Sequence, residues 1–302
     1  MTSSLPEVHQ YASLDQLVLN TGTLYLVFGF GTGDTFNAMV HLCKAPPQCD
    51  YELIIKRPQL NLVLFLLGLF DHVPRQVHAV DYWKHDFSAQ LLTRFPTIPF
   101  VRGVEPHSTR SGFIDFWQNP GNYNKIIPLN DDDIARIAAY FRAVPPQRQL
   151  PEGSVVLFPT AGANFSDYVP AWASIVDTLK RRGLTNVYVN QSGVADYGDE
   201  SIAGAEPISM PHDELIRSFH TGRRLAIIAV RSGVLDILRF CGQRALVLYQ
   251  PEPSGIFETC RFGLLRHNLD MIEAICLNVS TEHQHRVIEY YVENFIASPL
   301  ER

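Results

Sequence analysis

The stretch that decides the fold is Leu225-Ala226-Ile227-Ile228-Ala229-Val230-Arg231-Ser232-Gly233-Val234-Leu235-Asp236. It opens with an unbroken apolar run, Leu225 to Val230, which is typical of a parallel strand buried on both faces. After Arg-Ser-Gly, apolar residues recur with helical spacing, so a strand, a tight turn and a helix are predicted. The helix start offers unpaired backbone N–H groups beside a hydroxyl and an arginine, which suits a phosphate or diphosphate. The alternative is that the turn binds no ligand and that Ser232 only caps the helix.

Length and composition predict a packed protein of two domains. The chain has 302 residues, of which 46% are hydrophobic and 19% charged. Its net charge of −6 gives no reason to expect nucleic acid as a partner. Five cysteines without ligand spacing and the lack of a signal-peptide pattern indicate a cytoplasmic protein. The apolar run Leu60–Phe70 is too short to span a bilayer, but peripheral contact with the inner face of a membrane stays open.

Strand and helix patterns alternate in both halves of the sequence. After a polar leader, the first half predicts a strand at Thr23–Phe28, a helix at Thr35–Cys43, a strand at Tyr51–Lys56, a helix at Leu60–Phe70 and a strand at Gln76–Asp81. The second half predicts strands at Val155–Phe158, Asn186–Asn190, Ile208–Met210, Leu225–Val230 and Arg244–Tyr249, and helices at Pro170–Arg182, His212–Phe219 and Val279–Phe295. Pro145–Gly153 separates the halves as a linker.

This alternation predicts an α/β fold with two Rossmann-like, doubly wound domains that face a cleft. The predicted domains are residues 1–148, for an acceptor, and residues 149–302, for a donor. In such sheets ligands bind at the carboxyl ends of the strands. Three turns lie there: Gly29–Asp34, Pro159–Asp167 and Arg231–Gly233.

The first turn can be interpreted in three ways. Gly29-Phe30-Gly31-Thr32-Gly33 approaches the dinucleotide motif G-x-G-x-x-G, but Asp34 stands where the last glycine belongs and its charge opposes a pyrophosphate. Asp34 also fits the N-cap of a helix beginning at Thr35. A carboxylate at a strand end that faces a phosphate site suits a general base, because it can accept the proton of a hydroxyl nucleophile.

These features together resemble the GT-B glycosyltransferases, in particular the bacterial heptosyltransferase-type and other surface-polysaccharide transferases. The resemblance rests on Gly33-Asp34 after the first strand, a Thr-containing turn after Phe158, the strand-Arg-Ser-Gly-helix and the closing helix. It covers nearly the whole chain at the level of pattern. The heptosyltransferase pattern also has a lysine after the Thr/Ser turn and a Gly-x-x-His helix start. Here Phe165–Asp167 has no lysine and Gly233 is followed three residues later by Asp236.

The resemblance implies that Asp34 is the base that activates the acceptor, and that Thr160, Ser232 and Gly233 hold the donor diphosphate. It also implies that the final helix packs back toward the first domain. Because the lysine is absent, the charge of the leaving group is expected to rest on Arg231 and helix N–H groups, with Arg261 or Arg266 as a further candidate. Further residues complete the predicted site. For the donor they are Asn164 in the turn after Phe158, His212 at a helix start and Glu258 in the loop after Tyr249. For the acceptor they are Gly33 and Arg110, which lies in an irregular stretch rich in Pro, Gly, Ser and Asn.

The predicted activity is that of an inverting, metal-independent glycosyltransferase of surface-polysaccharide synthesis. Its expected partners are a nucleotide-sugar donor and a glycan or lipid-linked glycan acceptor. No cofactor and no metal are expected, because Asp131-Asp132-Asp133 fits a helix start, with Asn130 or Asp131 as the cap, better than a metal-binding DxD pair. A nucleotide-sugar epimerase on the same scaffold and a non-catalytic nucleotide- or glycan-binding protein stay open as alternatives.

Overall fold

The structure is a computed structural model. It describes residues 6–28, 32–44, 46–47, 49–70, 73–81, 87–98, 100–102, 130–143, 145–159, 172–190, 201–210, 212–219, 226–230, 244–249, 272–276, 286, 289–290 and 292–295. The chain separates into two compact units, Met1–Asp133 and Ile134–Arg302. The domain boundary after residue 148 stays a prediction.

The first unit holds a five-stranded parallel sheet. Its strands are β1 (Glu7–Tyr11), β2 (Leu24–Phe28), β3 (Tyr51–Lys56), β4 (Gln76–Val80) and β5 (Phe100–Arg102). They lie in the order β1-β4-β3-β2-β5, and every neighbouring pair is parallel. The order reverses at β2, because β3 and β4 continue on one side and β5 lies on the other. The predicted α/β class with parallel strands is confirmed.

Helices follow the strands of the first unit in alternation. They are α1 (Thr32–Lys44), α2 (Leu60–Leu69), which follows the short 3-10 helix Arg57–Gln59, and α3 (Phe87–Arg94). One face of the sheet packs Tyr25, Val27 and Ile54 against Leu14 and Leu91. The opposite face is buried as well, and right-handed crossovers bring α1 and α2 to it. Buried apolar runs in the sequence therefore correspond to strands covered on both faces.

The second unit holds a six-stranded parallel sheet. Its strands are β6 (Val155–Phe158), β7 (Val187–Asn190), β8 (Glu206–Ile208), β9 (Ala226–Val230), β10 (Arg244–Tyr249) and β11 (Ile272–Cys276). They lie in the order β11-β10-β9-β6-β7-β8. Counted from β6 as the first strand, this order is 3-2-1-4-5-6, which is that of dinucleotide-binding doubly wound sheets. The strand order reverses between β6 and β9.

Helix α4 (Asp131–Ala143) spans the division between the two units, and α5 (Trp172–Arg181) and α6 (His212–Phe219) belong to the second unit. The core on one face of the sheet joins Ile175 and Leu179 of α5 to Val292 and Phe295 of the C-terminal helical residues 292–295. The packing of the final helix toward the first domain stays a prediction.

The acidic start of α4 is a helix cap, as the sequence predicts. The side chain of Asn130 accepts a hydrogen bond from the backbone N–H of Asp133 at 2.8 Å, and the Asp133 carboxylate accepts one from the backbone N–H of Asn130 at 3.0 Å. This reciprocal pair satisfies two backbone donors at the helix terminus. The Asp133 carboxylate also forms an ion pair with Lys44 of α1.

The predicted linker is anchored by its backbone to α6. The backbone N–H of Arg148 donates to the Glu214 carboxylate at 2.9 Å, and the Arg148 carbonyl accepts from the Ser218 hydroxyl at 2.7 Å. Both side chains are buried. Their hydrogen bonds offset the cost of burying them and fix the linker residue in place.

Candidate functional site

Gly33 and Asp34 lie at the carboxyl end of β2. This strand ends at Phe28 and α1 begins at Thr32, so both residues are in the first turn of α1. Asp34 is therefore not an N-cap of a helix beginning at Thr35, because α1 begins three residues earlier than the sequence predicts. A carboxylate in the first turn faces the positive end of the helix dipole. The side chains of Gly33 and Asp34 are outside the described part of the structure.

The same edge of the first sheet carries two polar cross-links. Thr35, directly after Asp34, is fully buried and donates its hydroxyl hydrogen to Gln59 Oε1 at 2.9 Å. Gln59 follows β3, so this bond joins the turns after two neighbouring strands. One strand further, Arg57 forms an ion pair with Asp81, which follows β4. The Thr35–Gln59 bond fixes the start of α1, which carries the candidate base.

The predicted diphosphate turns follow neighbouring strands of the second sheet. β6 and β9 are paired in parallel register, with Phe158 beside Ala229. The carboxyl ends of β6 and β9 consequently lie side by side where the strand order reverses, which is where doubly wound sheets bind ligands. Thr160 and Asn164 follow β6, Arg231, Ser232 and Gly233 follow β9, and Glu258 follows β10.

Most of the predicted site residues belong to segments that the structure does not describe. These are Arg110, Thr160, Asn164, Arg231, Ser232, Gly233 and Glu258. His212 is the first residue of α6, but its side chain is likewise not described. The roles assigned to all of them stay predictions. What the structure adds is the position of the strands and helices from which they extend.

Sequence reasoning missed Asn190, the last residue of β7. This side chain is only 6% exposed, and its Oδ1 is buried without a hydrogen-bond partner. β7 is the neighbour of β6, so Asn190 lies at the end of the strand beside the one that leads to Thr160. The sequence shows only an asparagine at the end of an apolar strand. Nothing in that pattern indicates that its amide oxygen is buried without a hydrogen-bond partner.

A second buried polar group lies on the first sheet, away from the strand ends. His78 Nε2 is 2.7 Å from Glu52 Oε2, and His78 Nδ1 is 3.2 Å from the Tyr11 hydroxyl. Both His78 and Glu52 are almost fully buried. Burial lowers the pKa of His78, although Glu52 opposes this effect. With its proton on Nε2, neutral His78 donates to Glu52 and accepts from Tyr11, which satisfies all three groups.

Comparison with known proteins identifies the fold. No protein-family model and no curated protein matches the sequence. Among solved structures, the E. coli ADP-heptose LPS heptosyltransferase II matches with 12% identity over 91% of this chain and 98% of that chain, with a TM-score of 0.52. The E. coli heptosyltransferase WaaC with ADP matches with 11% identity over 90% and 99% of the two chains, with a TM-score of 0.50. The chain has the fold of these glycosyltransferases. The predicted resemblance is thus confirmed at the level of the fold.

One of the matched structures corrects the expectation that no cofactor takes part. TibC from enterotoxigenic E. coli H10407, matched with 13% identity over 93% of this chain and 77% of that chain, is described as an iron-containing dodecameric glycosyltransferase. Its TM-score is 0.49. The prediction of no cofactor is therefore wrong as a general expectation, because an iron-containing protein stands among the matched structures. The lack of a DxD pair argues only against one type of divalent-metal site.

The described residues contain neither a metal-ligand cluster nor a membrane-spanning helix. No group of three or more histidine, cysteine, aspartate or glutamate side chains among them is arranged to hold a metal ion. Among the described helices, none is long and apolar enough to cross a membrane. The apolar run that begins at Leu60 forms α2, which ends at Leu69.

Proposed function

We propose that this chain is an inverting glycosyltransferase that moves a sugar from a nucleotide-sugar donor to a hydroxyl of a glycan or glycolipid acceptor. The observation that carries the proposal is the fold shared with E. coli heptosyltransferase II over 91% of the chain. We also propose that both units are Rossmann-like, doubly wound domains, the first for the acceptor and the second for the donor. The proposed setting is surface-polysaccharide synthesis in the cytoplasm, at the inner face of the membrane.

The proposed reaction is a single displacement at the anomeric carbon of the donor sugar. The acceptor oxygen forms the new bond to that carbon while the bond to the nucleoside diphosphate breaks, which inverts the configuration. Asp34 accepts the proton of the acceptor hydroxyl. Arg231, Ser232 and the helix N–H groups after β9 stabilise the negative charge that develops on the departing diphosphate.

Strand geometry supports this division of roles. Asp34 is at the carboxyl end of β2, and the Arg231–Gly233 turn is at the carboxyl end of β9, next to β6. In each sheet the turn lies at the strand where the order reverses. This is the position at which open α/β sheets bind ligands, so the same physical rule selects both turns.

The role of Asp34 can be tested with Asp34→Asn. The amide has nearly the same shape but cannot accept the proton, so we expect turnover to fall by about 10²- to 10⁴-fold with little change in donor affinity. Asp50→Asn is the matched control. Asp50 is an exposed aspartate just before β3, so it lies at the amino ends of the strands, away from the carboxyl ends where Asp34 is found. Ordinary turnover in Asp34→Asn would remove Asp34 from the role of base.

The donor class can be identified with a thermal-shift panel of UDP, GDP, ADP, CMP, NAD and NADP. A ligand at about 100 times its dissociation constant raises the free energy of unfolding by about 2.7 kcal/mol. We expect stabilisation by one nucleoside phosphate and none by the dinucleotides. Stabilisation by NAD or NADP alone would refute the transferase and favour a dinucleotide at the Gly29–Gly33 turn. Metal analysis of the purified protein, run beside the panel, measures whether it contains iron.

Two product assays separate the transferase from the other classes considered. An epimerase converts the nucleotide sugar in the absence of any acceptor, whereas a transferase needs the acceptor or slowly hydrolyses the donor. A binding protein leaves the donor unchanged. Transfer of the sugar with inverted configuration, measured by NMR of the product, is the outcome that the proposal requires.

A further inference from the structure

A buried hydrogen bond holds the helix turn that carries the proposed base. We propose that Thr35 and Gln59 are positioning residues that fix Asp34 for proton transfer from the acceptor; the inference rests on the proposed function. The Thr35 hydroxyl donates to Gln59 Oε1 at 2.9 Å. Both side chains are buried, so the bond is shielded from water. Asp34 directly precedes Thr35 in the first turn of α1.

The local sequence gives the first turn of α1 little rigidity of its own. Two glycines, Gly31 and Gly33, flank its first residue, and glycine disfavours a helix because its backbone is free to adopt many conformations. A helix terminus also lacks part of the backbone hydrogen bonding of the helix interior. Later in α1, Phe36 and Met39 are fully buried, so apolar packing holds the body of the helix. The buried hydrogen bond gives the first turn a fixed contact that its own sequence does not provide.

The acceptor of this bond belongs to a segment that is itself held in place. Gln59 ends the short 3-10 helix after β3, in which Pro58 has a fixed φ angle. Arg57 of the same segment forms an ion pair with Asp81, which follows β4. The turns after β2, β3 and β4 are therefore linked to each other by side chains at the carboxyl edge of the sheet. These links tie the turn that carries the base to the edge where the acceptor is proposed to bind.

The rate of proton transfer to a carboxylate depends strongly on its position. A general base acts at hydrogen-bond distance, about 2.6–3.2 Å between heavy atoms, from the hydroxyl that it deprotonates. A misplacement of about 1 Å can lower the rate by about 100-fold. Consecutive Cα atoms are only about 3.8 Å apart, so a shift of Thr35 also displaces Asp34. Such a shift should affect turnover more than donor affinity, because the donor is proposed to bind the second unit.

The test measures turnover in Thr35→Val and Thr35→Ser. Valine keeps the branched shape of threonine but lacks the hydroxyl, whereas serine keeps the hydroxyl. The donors are ADP-heptose, UDP-glucose and GDP-mannose, with water in place of the acceptor hydroxyl and release of the nucleoside diphosphate as the signal. We expect kcat to fall about 10- to 100-fold in Thr35→Val, with KM for the donor changed by less than about threefold. Thr35→Ser should recover most of this loss.

Thr23→Val is the matched control. Thr23 is a buried threonine just before the amino end of β2, and its side chain is hydrogen-bonded to Tyr25. The control therefore removes a buried hydroxyl at the opposite end of the strand that leads to Asp34. It should lower the melting temperature but keep kcat within about twofold of the wild type. An equal fall of kcat in both variants would overturn the inference, because general destabilisation would then explain it.

Gln59→Met serves the same purpose if Thr35→Val does not fold. It removes the acceptor and leaves the Thr35 hydroxyl free to turn to a backbone carbonyl of its own helix. We expect the same selective fall of kcat in this variant. Circular dichroism melting curves show whether each variant is folded at the assay temperature.

A double-variant cycle shows whether the effect passes through Asp34. The base is absent in Asp34→Asn, so adding Thr35→Val should lower turnover no further. A full additional loss in the Asp34→Asn background would overturn the inference, because Thr35 would then act on another group. Wild-type turnover in Thr35→Val would also overturn it and leave the role of Asp34 intact. If Asp34→Asn itself turns over like the wild type, or the wild type cleaves none of the donors, the proposed function fails and the inference fails with it.

Discussion

Replacing His78 with leucine tests whether the buried Glu52–His78 pair supports the first sheet. Glu52 and His78 are 1% and 2% exposed, and the pair is 2.7 Å apart. In His78→Leu the Glu52 carboxylate loses the imidazole and keeps the Tyr25 hydroxyl and the more distant Arg75, whose Nε is 3.8 Å away. The variant therefore leaves a buried carboxylate without its main hydrogen-bond donor.

The expected loss follows from this geometry. Removing one partner of a buried pair costs about 3–5 kcal/mol. We expect a loss at the lower end of this range, because burial lowers the pKa of His78 and favours its neutral form at pH 7. The pair is then a hydrogen bond to a carboxylate and not a full ion pair. A loss of about 3 kcal/mol corresponds to a drop of roughly 10 °C in the melting temperature of a unit of this size, measured by differential scanning calorimetry.

Two controls make the test specific. His9→Leu changes a histidine that stacks on His78 with ring centroids 5.7 Å apart, but its side chain is 37% exposed, so we expect a change below about 1 kcal/mol. The double variant Glu52→Leu/His78→Leu buries no charge and should recover most of the stability lost in His78→Leu. A loss below about 1 kcal/mol in His78→Leu would refute the reasoning.

The lowered pKa of His78 predicts that the stability of the protein depends on pH. A folded-state pKa below the unfolded value means that the stabilisation is complete above about pH 6.5 and is lost as the pH falls below it. The groups that face His78 are Tyr11, Tyr25, His9 and Glu52. Of these, His9 lowers the pKa of His78 in addition to the effect of burial. The wild type should therefore lose more stability than His78→Leu between pH 7 and pH 5.5. Parallel pH curves for the two proteins would contradict the assignment.

Two further predictions concern a thiol and a helix cap. Burial raises the pKa of Cys43 to about 12, so iodoacetamide at pH 8 should modify the exposed Cys49 and spare Cys43 until the protein unfolds. Peptide mass spectrometry measures both thiols, and early labelling of Cys43 would contradict its burial. Asn130→Ala removes the acceptor for the Asp133 N–H and should cost about 1 kcal/mol in urea unfolding. An unchanged midpoint would show that the cap is dispensable.

The long apolar runs were the most informative part of the sequence. The run before Arg231 predicts a strand, and β9 forms at Ala226–Val230, where four of the five side chains are buried. Edge strands were harder to predict. β1 lies in the polar leader, where half-exposed polar residues hide the strand pattern. β8 forms at Glu206–Ile208, two residues earlier than predicted, and tolerates Pro207 because it is an edge strand.

Helix starts and strand order needed the tertiary structure. α1 begins at Thr32, although the glycines around it predict a loop. The buried Thr35–Gln59 hydrogen bond, which fixes the start of α1, joins residues 24 positions apart in the sequence. The strand order is set by packing between distant segments. Local periodicity therefore cannot indicate that β9 pairs with β6.

The sequence by itself determined the alternation of strands and helices, the parallel α/β class and the turns where chemistry is expected, because these depend on local periodicity and on residue types at strand ends. Only the tertiary structure decided which strand ends lie side by side, and only it showed the buried pair Glu52–His78 and the unpaired side-chain oxygen of Asn190. Burial and hydrogen-bond partners depend on residues that meet only after the sheets have formed. For that reason, burial and hydrogen-bond partners cannot be predicted from a local pattern in the sequence.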